Sequence, residues 1–141
     1  MPYYQPKVCL STGKVVGFEA LARWQHPDEG LLTPATFGSA FEDPELAIAI
    51  GRRMLEQVTL DLREWLDRGV ECGRVALNLS TAEFREPGLG AALLDRLASA
   101  GVPTAHFEIE VTRDGLPRPQ RGARGGDLEA PPRQRRAHRA R

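Results

Sequence analysis

The sequence predicts an α/β domain in which parallel strands alternate with helices packed on their outer side. Two observations support this prediction. Strand-like segments at residues 15–23, 75–77 and 107–111 are separated by segments that contain helix start and stop signals. One of the separating segments, residues 44–68, has apolar residues at helical spacing. The alternation ends at residue 112, so the predicted domain covers residues 1–112.

The first two strands are predicted to form an antiparallel hairpin. Residues 3–10 are extended in character, and Pro6 suits an edge or first strand. Residues 11–14 have the composition of a tight turn. Residues 15–23 then form the second strand, which completes the hairpin.

Proline marks the start of two predicted helices. Thr33 is placed to cap a helix with Pro34 at its first position. Asp43 and Pro44 repeat this signal for a longer helix that ends before Gly69. Apolar residues of the longer helix recur at three- and four-residue steps and form one stripe: Ala47, Ile50, Met54, Val58, Leu62 and Trp65.

The rest of the domain repeats the strand-helix pattern. Residues 75–77 form a short buried strand that ends at Asn78. Ser80 and Glu83 match a capping box at the start of the next helical segment. A helix over residues 89–100 and a strand over residues 107–111 follow.

Residues 113–141 differ from the body in composition. They contain nine basic and three acidic residues, a net charge of +6, whereas residues 1–112 contain ten basic and 16 acidic residues, a net charge of −6. Arg, Pro and Gly dominate, so this segment cannot bury enough apolar surface to offset its ordering entropy. We expect a disordered basic tail. Because the change comes within one residue of a strand, we also hypothesise that the tail is read out of frame.

The chain shows no targeting or membrane segment. Its first residues lack the basic start and apolar stretch of a signal peptide. The apolar run at residues 46–50 is too short to span a bilayer. Cys9 and Cys72 fit no Cys-x-x-Cys pattern and are expected to be reduced, packed thiols. The expected localisation is therefore the cytoplasm.

Three polar residues lie at or near the ends of predicted strands. They are Glu19, Asn78 and Glu110. Barrel enzymes place catalytic groups at such ends, and two carboxylates with an amide oxygen suit Mg²⁺ or Mn²⁺. Arg23, four residues after Glu19, could hold a phosphate. From the spacing alone, a carboxylate four residues from an arginine is usually a solvated ion pair, and Asn78 alone is more typical of a turn or cap residue.

Four segments, taken in order, resemble one family. They are Tyr4-Gln5-Pro6, Glu19-Ala20-Leu21 with Arg23-Trp24, Asn78-Leu79-Ser80, and Glu110-Val111-Thr112. Together they resemble the motifs of the EAL-domain family, the cyclic-di-GMP phosphodiesterases of bacteria. The resemblance covers residues 3–112.

The resemblance implies a fold, a cofactor and an activity. The fold would be the N-terminal half of a modified TIM (β/α)₈ barrel with an antiparallel first strand. The activity would be hydrolysis of cyclic-di-GMP to linear pGpG with Mg²⁺ or Mn²⁺. Glu19, Asn78 and Glu110 would be metal ligands, with Glu19 also catalytic. The substrate would be contacted by Gln5, Leu21 and Arg23.

After Thr112 the chain departs from the family pattern. The next acidic residue is replaced by Arg113, no Asp-Asp pair follows, and no lysine occurs after Lys14. Two carboxylates and one amide cannot hold the two cations of a two-metal mechanism. We therefore expect this truncated chain to be inactive.

Two other function classes remain open. One is a non-catalytic module that binds cyclic-di-GMP or a protein partner, such as another EAL-domain or cyclase-domain chain. The other is a nucleic-acid binder that uses the arginines of the tail. The tail has no aromatic residue to stack on bases, so we expect no nucleic-acid partner.

Overall fold

The computed structural model describes residues 1–112, and the predicted tail, residues 113–141, lies outside the described residues. The strands are β1 (Pro2–Val8), β2 (Val15–Ala22), β3 (Trp24–His26), β4 (Gly30–Leu32), β5 (Arg74–Ser80) and β6 (Phe107–Thr112). The α-helices are α1 (Pro34–Phe37), α2 (Pro44–Asp67), α3 (Thr81–Phe84) and α4 (Leu89–Ser99). Short 3₁₀ turns cover Gly38–Phe41 and Thr104–His106. None of the helices within residues 1–112 is both long and apolar enough to cross a bilayer.

One sheet of four strands forms the centre of the fold, in the order β1-β2-β5-β6. β1 is antiparallel to β2, which confirms the predicted hairpin. β2 pairs with β5, and β5 with β6, in parallel, as the alternation of strands and helices predicts. The tight turn between β1 and β2 is closed by the amide of Gly13, which donates to the carbonyl of Cys9 at 2.7 Å. Pro6 accordingly lies in an edge strand of this sheet.

Helix α2 is the longest element and follows its sequence signals. Asp43 caps it, because its carboxylate accepts hydrogen bonds from the amides of Glu45 and Leu46 at 2.9 and 3.1 Å. The helix ends one residue earlier than predicted, before Gly69 in the left-handed conformation. Four residues of the predicted stripe are buried, and the other two are partly buried. The buried ones are Ala47, Met54, Val58 and Leu62.

The core lies between α2, α4 and one face of the sheet. Alternate residues of a strand point to opposite faces, so the residues that each strand supplies to the core recur at every second position. The strand residues in contact with the core are Tyr4, Phe18, Ala20, Ala22, Val75, Leu77, Leu79, Phe107 and Ile109. Val58 and Leu62 of α2 are fully buried against them.

Tyr4 fastens the edge strand β1 to helix α2. Its ring packs edge-on against Trp65, with 4.6 Å between ring centroids. Its hydroxyl donates to Asp61 Oδ2 at 2.6 Å, and burial, together with Asp61, raises the pKa of Tyr4. Because Tyr4 points into the core, its neighbour Gln5 must point to the other face of the sheet.

Two details of the fold were not predicted. A second hairpin, β3 with β4, follows β2 directly. Each of its strands has three residues, too few for an alternating pattern, and the turn is completed by Gly30 at a φ of 75°. Strand β5 is also longer than predicted, so Asn78 lies inside it, two residues before its end at Ser80.

Candidate active site

The predicted metal ligands lie on the face of the sheet that is opposite the core. Glu19 is paired with Gln5 across the hairpin, and Asn78 is paired with Glu110 across β5 and β6. Their strand neighbours Ala20, Leu77 and Ile109 belong to the core side. The polar residues therefore share the other face, as parallel strands of one sheet require. We call this surface the polar face.

Glu19 and Asn78 are in direct contact on the polar face. The amide nitrogen of Asn78 donates to Glu19 Oε1 at 2.7 Å, although the two residues are 59 positions apart. Glu19 is only 7% exposed. A carboxylate at such depth depends on donors around it, because burial otherwise disfavours its charge. Asn78 supplies one of these donors.

The amide oxygen of Asn78, unlike its amide nitrogen, lacks a hydrogen-bond partner within residues 1–112. It is also buried. A buried acceptor without a partner costs about 1–3 kcal/mol. A divalent cation would satisfy this oxygen and the neighbouring carboxylate together, and both are hard oxygen donors of the kind Mg²⁺ and Mn²⁺ prefer. The chemistry of the two side chains therefore fits the cofactor that the sequence predicts.

Glu110 is already engaged by a cation of the protein itself. Lys7, on the far edge strand β1, extends across the polar face and donates to Glu110 Oε1 at 2.9 Å. Its ammonium also lies 3.8 Å from Glu108 Oε2. Burial lowers the pKa of Lys7, but the hydrogen bond and charge of Glu110, with Glu108 and Glu19, outweigh burial and raise it. Sequence analysis missed Lys7, because nothing in the local pattern links residues 103 positions apart.

The described residues do not form a complete acidic metal site. Within residues 1–112, no three His, Cys, Asp or Glu side chains are grouped closely enough to hold a metal ion. Glu19 and Asn78 are in contact, whereas Glu110 is turned to Lys7. The structure thus brings the three predicted ligands to one face, and their roles as ligands stay predictions.

The predicted substrate residues lie around this face. Leu21 is 6% exposed and, with Asn78, lines a small cavity of about 20 Å³. Arg23 follows the carboxyl end of β2, where its guanidinium donates to the carbonyl of Ala22 at 2.9 Å. The guanidinium also stacks over the ring of Tyr3 at 5.9 Å. Such stacking holds an arginine in one orientation, which suits a phosphate contact.

A buried glutamate supports the end of β5 below Asn78. Glu83 forms the predicted capping box with Ser80: its carboxylate accepts from the Ser80 amide at 2.7 Å, and its own amide donates to Ser80 Oγ at 3.2 Å. The carboxylate lies against Gly51 of α2, where any Cβ would overlap it. Burial raises the pKa of Glu83, against the opposing effect of its hydrogen bonds with Ser80.

Known proteins are similar to this chain in sequence. A model of the EAL domain matches residues 1–124. The bifunctional diguanylate cyclase/cyclic di-GMP phosphodiesterase MucR of Pseudomonas aeruginosa is 37% identical over 110 residues, 78% of this chain and 16% of MucR. The cyclic di-GMP phosphodiesterase PdeR of Escherichia coli is 32% identical over 114 residues, 81% of this chain and 17% of PdeR.

A solved structure matches the fold as well. The PaMucR phosphodiesterase in its cyclic-di-GMP complex aligns with a TM-score of 0.73 and 35% identity. The alignment covers 84% of this chain and 48% of that one. The chain thus spans about half of the matched structure and about one sixth of the two curated relatives. From the family match and these similarities, the chain belongs to the EAL-domain family.

Proposed function

We propose that this chain is a cyclic-di-GMP-binding EAL domain that holds one divalent cation weakly and does not hydrolyse the dinucleotide at a significant rate. The observation that supports it most directly is the pair formed by Glu19 and Asn78, with a buried amide oxygen that lacks a partner within residues 1–112. The described strands would form the N-terminal half of a modified TIM barrel. The cofactor would be Mg²⁺ or Mn²⁺.

Each predicted residue has a defined part in this proposal. Glu19 and Asn78 bind the cation through oxygen atoms, and Glu110 joins them once its contact with Lys7 is broken. Arg23 binds a phosphate of the dinucleotide through its guanidinium fork. Gln5 and Leu21 contact the rest of the ligand. When bound, the cation would polarise a phosphate oxygen and lower the pKa of a coordinated water.

The low expected activity follows from the number of ligands. In-line attack on phosphorus needs a water and a phosphate that are both fixed within a water-excluded cavity. The described face supplies two carboxylates and one amide, and no grouped set of three acidic or histidine ligands within residues 1–112. The whole 141-residue chain has no Asp-Asp pair after Thr112. Binding through Arg23 does not depend on these missing groups.

The test measures binding and turnover in the same preparation. Calorimetric titration with cyclic-di-GMP in Mn²⁺ should give saturable binding that is at least about tenfold weaker in Arg23→Ala, the loss expected for a charged hydrogen bond. Chromatography for pGpG should show turnover no faster than in Glu19→Ala. Metal-dependent turnover clearly above that variant would show an assembled active site, and absence of binding would reject the ligand.

A second candidate function is a protein-binding module of the same signalling system, with another EAL-domain or cyclase-domain chain as partner. It is favoured by the edge of the sheet: within residues 1–112, β6 is an outer strand that could pair with a strand of another chain. Sedimentation velocity of the pure chain, and of its mixture with a cyclase-domain chain, would separate this function from dinucleotide binding.

A further inference from the structure

Lys7 contacts two acidic side chains on the polar face, and one of them is a predicted metal ligand. Its ammonium is 2.9 Å from Glu110 Oε1 and 3.8 Å from Glu108 Oε2. The lysine side chain is only about one third exposed, at 33%. The single positive charge thus lies beside two carboxylates, where a divalent cation would also be attracted.

The route of the side chain argues against an incidental surface pair. β1 and β6 are the two outer strands of the four-stranded sheet. On a flat sheet they would lie roughly 14 Å apart, at about 4.8 Å per strand. Lys7 and Glu110 therefore meet only by extending toward each other over the middle strands. Lys7 is opposite Gly17 in β2, which has no side chain in its path.

We propose that Lys7 is a built-in counter-ion that holds the place of the metal on the polar face and is released when a divalent cation binds. This inference rests on the proposed metal site and adds a competitor to it. The ammonium neutralises Glu110 in the metal-free chain and keeps the face compact. A divalent cation must break or repel this contact, so Lys7 raises the metal concentration at which the site fills.

A purely structural role would give a different result. If Lys7 only linked β1 to β6, its contact with Glu110 would persist when a divalent cation is added. Loss of that contact would then make the site less ordered. Removal of Lys7 would then weaken metal binding. If Lys7 competes with the metal, its removal tightens binding, because a like charge beside the dication is lost. The sign of the change separates the two roles.

The first experiment measures Mn²⁺ affinity of the full chain by electron paramagnetic resonance. Lys7→Met keeps the length and apolar stem of the side chain and should bind Mn²⁺ about tenfold more tightly than wild type. Lys14→Met is the matched control, since Lys14 is exposed in the hairpin turn and should leave the affinity unchanged. Glu19→Ala should abolish Mn²⁺ binding both in the wild-type chain and in Lys7→Met.

The outcomes distinguish this inference from the proposed function. Wild-type binding that depends on Glu19, with equal or weaker binding by Lys7→Met, would overturn the role of Lys7 and leave the metal site standing. If neither wild type nor Lys7→Met binds Mn²⁺ at millimolar concentration, the metal site and the competitor are both rejected.

A second readout needs no substitution and so does not depend on how the variant folds. The chain has two lysines, Lys7 and Lys14, and each amine can be acetylated and quantified by mass spectrometry. Addition of Mg²⁺ to the wild-type chain should raise the acetylation rate of Lys7 several-fold and leave that of Lys14 constant. An unchanged ratio of the two rates in saturating Mg²⁺ would overturn the proposal.

Discussion

Asn78 shows how one strand residue can serve both the sheet and the site. Its backbone continues the parallel pairing of β5 with β6, and its side chain holds Glu19 at 2.7 Å. An apolar residue would satisfy the sheet as well and would avoid the buried oxygen without a partner. In the proposed site, a bound cation would complete this oxygen.

The contact between Asn78 and Glu19 gives a prediction for Asn78→Asp, which would place a second negative charge next to Glu19. This substitution replaces a donor with a second carboxylate, so in the absence of metal it should destabilise the chain by about 1–3 kcal/mol at pH 7. Millimolar Mg²⁺ should restore most of the loss, because a divalent cation neutralises both carboxylates. Urea denaturation with and without Mg²⁺ measures this change.

The control for that experiment is Asn78→Ala. It loses the same hydrogen bond but introduces no charge, so Mg²⁺ should not restore its stability. Equal recovery of both variants would mean that Mg²⁺ acts elsewhere on the chain, and no recovery of Asn78→Asp would argue against a cation next to Glu19.

The positions of the candidate site residues, though not their roles, could be predicted from the sequence where strands define them. Glu19, Asn78 and Glu110 each lie within or at the end of a recognisable strand, and the structure places them on one face. Lys7 has no such signal, because its contact with Glu110 joins the two outer strands of the sheet, 103 positions apart in the sequence. A contact between residues so far apart is not encoded in any local pattern.

At the level of elements, caps and turns were the most predictable features. The Asp43 cap, the glycine after α2 and the Ser80–Glu83 capping box all act within a few residues of sequence. The β3–β4 hairpin was not predictable, since its three-residue strands are stabilised by packing instead. Trp24 in β3 contacts the ring of Phe37 in α1, with 6.2 Å between centroids.

Glu83 links a cap to the pH dependence of stability. Burial raises its pKa above the ordinary value of 4.5, so the folded state favours the protonated carboxyl. Because the pKa of Glu83 is higher in the folded state than in the unfolded state, Glu83 stabilises the fold at pH values below its unfolded-state pKa. This stabilisation is lost as the pH rises through its folded-state pKa. Relative to Glu83→Gln, which keeps the capping geometry, the wild type should lose stability as the pH rises from 4.5.

Urea denaturation of both proteins between pH 4 and pH 8 measures that difference. Glu64→Gln, on the exposed side of α2, is a suitable control for the general effect of removing one carboxylate. A constant difference between wild type and Glu83→Gln across this range would show that Glu83 has the same pKa in the folded and unfolded states.

At the level of the whole molecule, the sheet separates the core from the site. Core residues of the strands, such as Ala20 and Leu77, lie on the side of α2 and α4, and their neighbours Glu19 and Asn78 lie on the other side. Glu19 and Asn78 are held by neighbouring strands, so the geometry of the site depends on the sheet. The sheet in turn depends on the helices behind it. This two-sided design was predictable from strand alternation, whereas the closure of a barrel was not.

The last prediction tests whether core and site unfold together. Leu62 of α2 is fully buried, so Leu62→Ala should cost about 2–5 kcal/mol of unfolding free energy. Leu60 lies on the same helix, is 54% exposed, and should change stability by less than about 0.5 kcal/mol when replaced by alanine.

The site is formed by the other face of the sheet that packs on α2. In Leu62→Ala, Mn²⁺ binding and the helical circular dichroism signal should therefore be lost at the same urea concentration, which should be lower than in the wild type. Leu60→Ala should follow the wild type in both signals. Metal binding that outlasts the helical signal would mean that the polar face is stable without the core, and the dependence of the site on α2 would then be wrong.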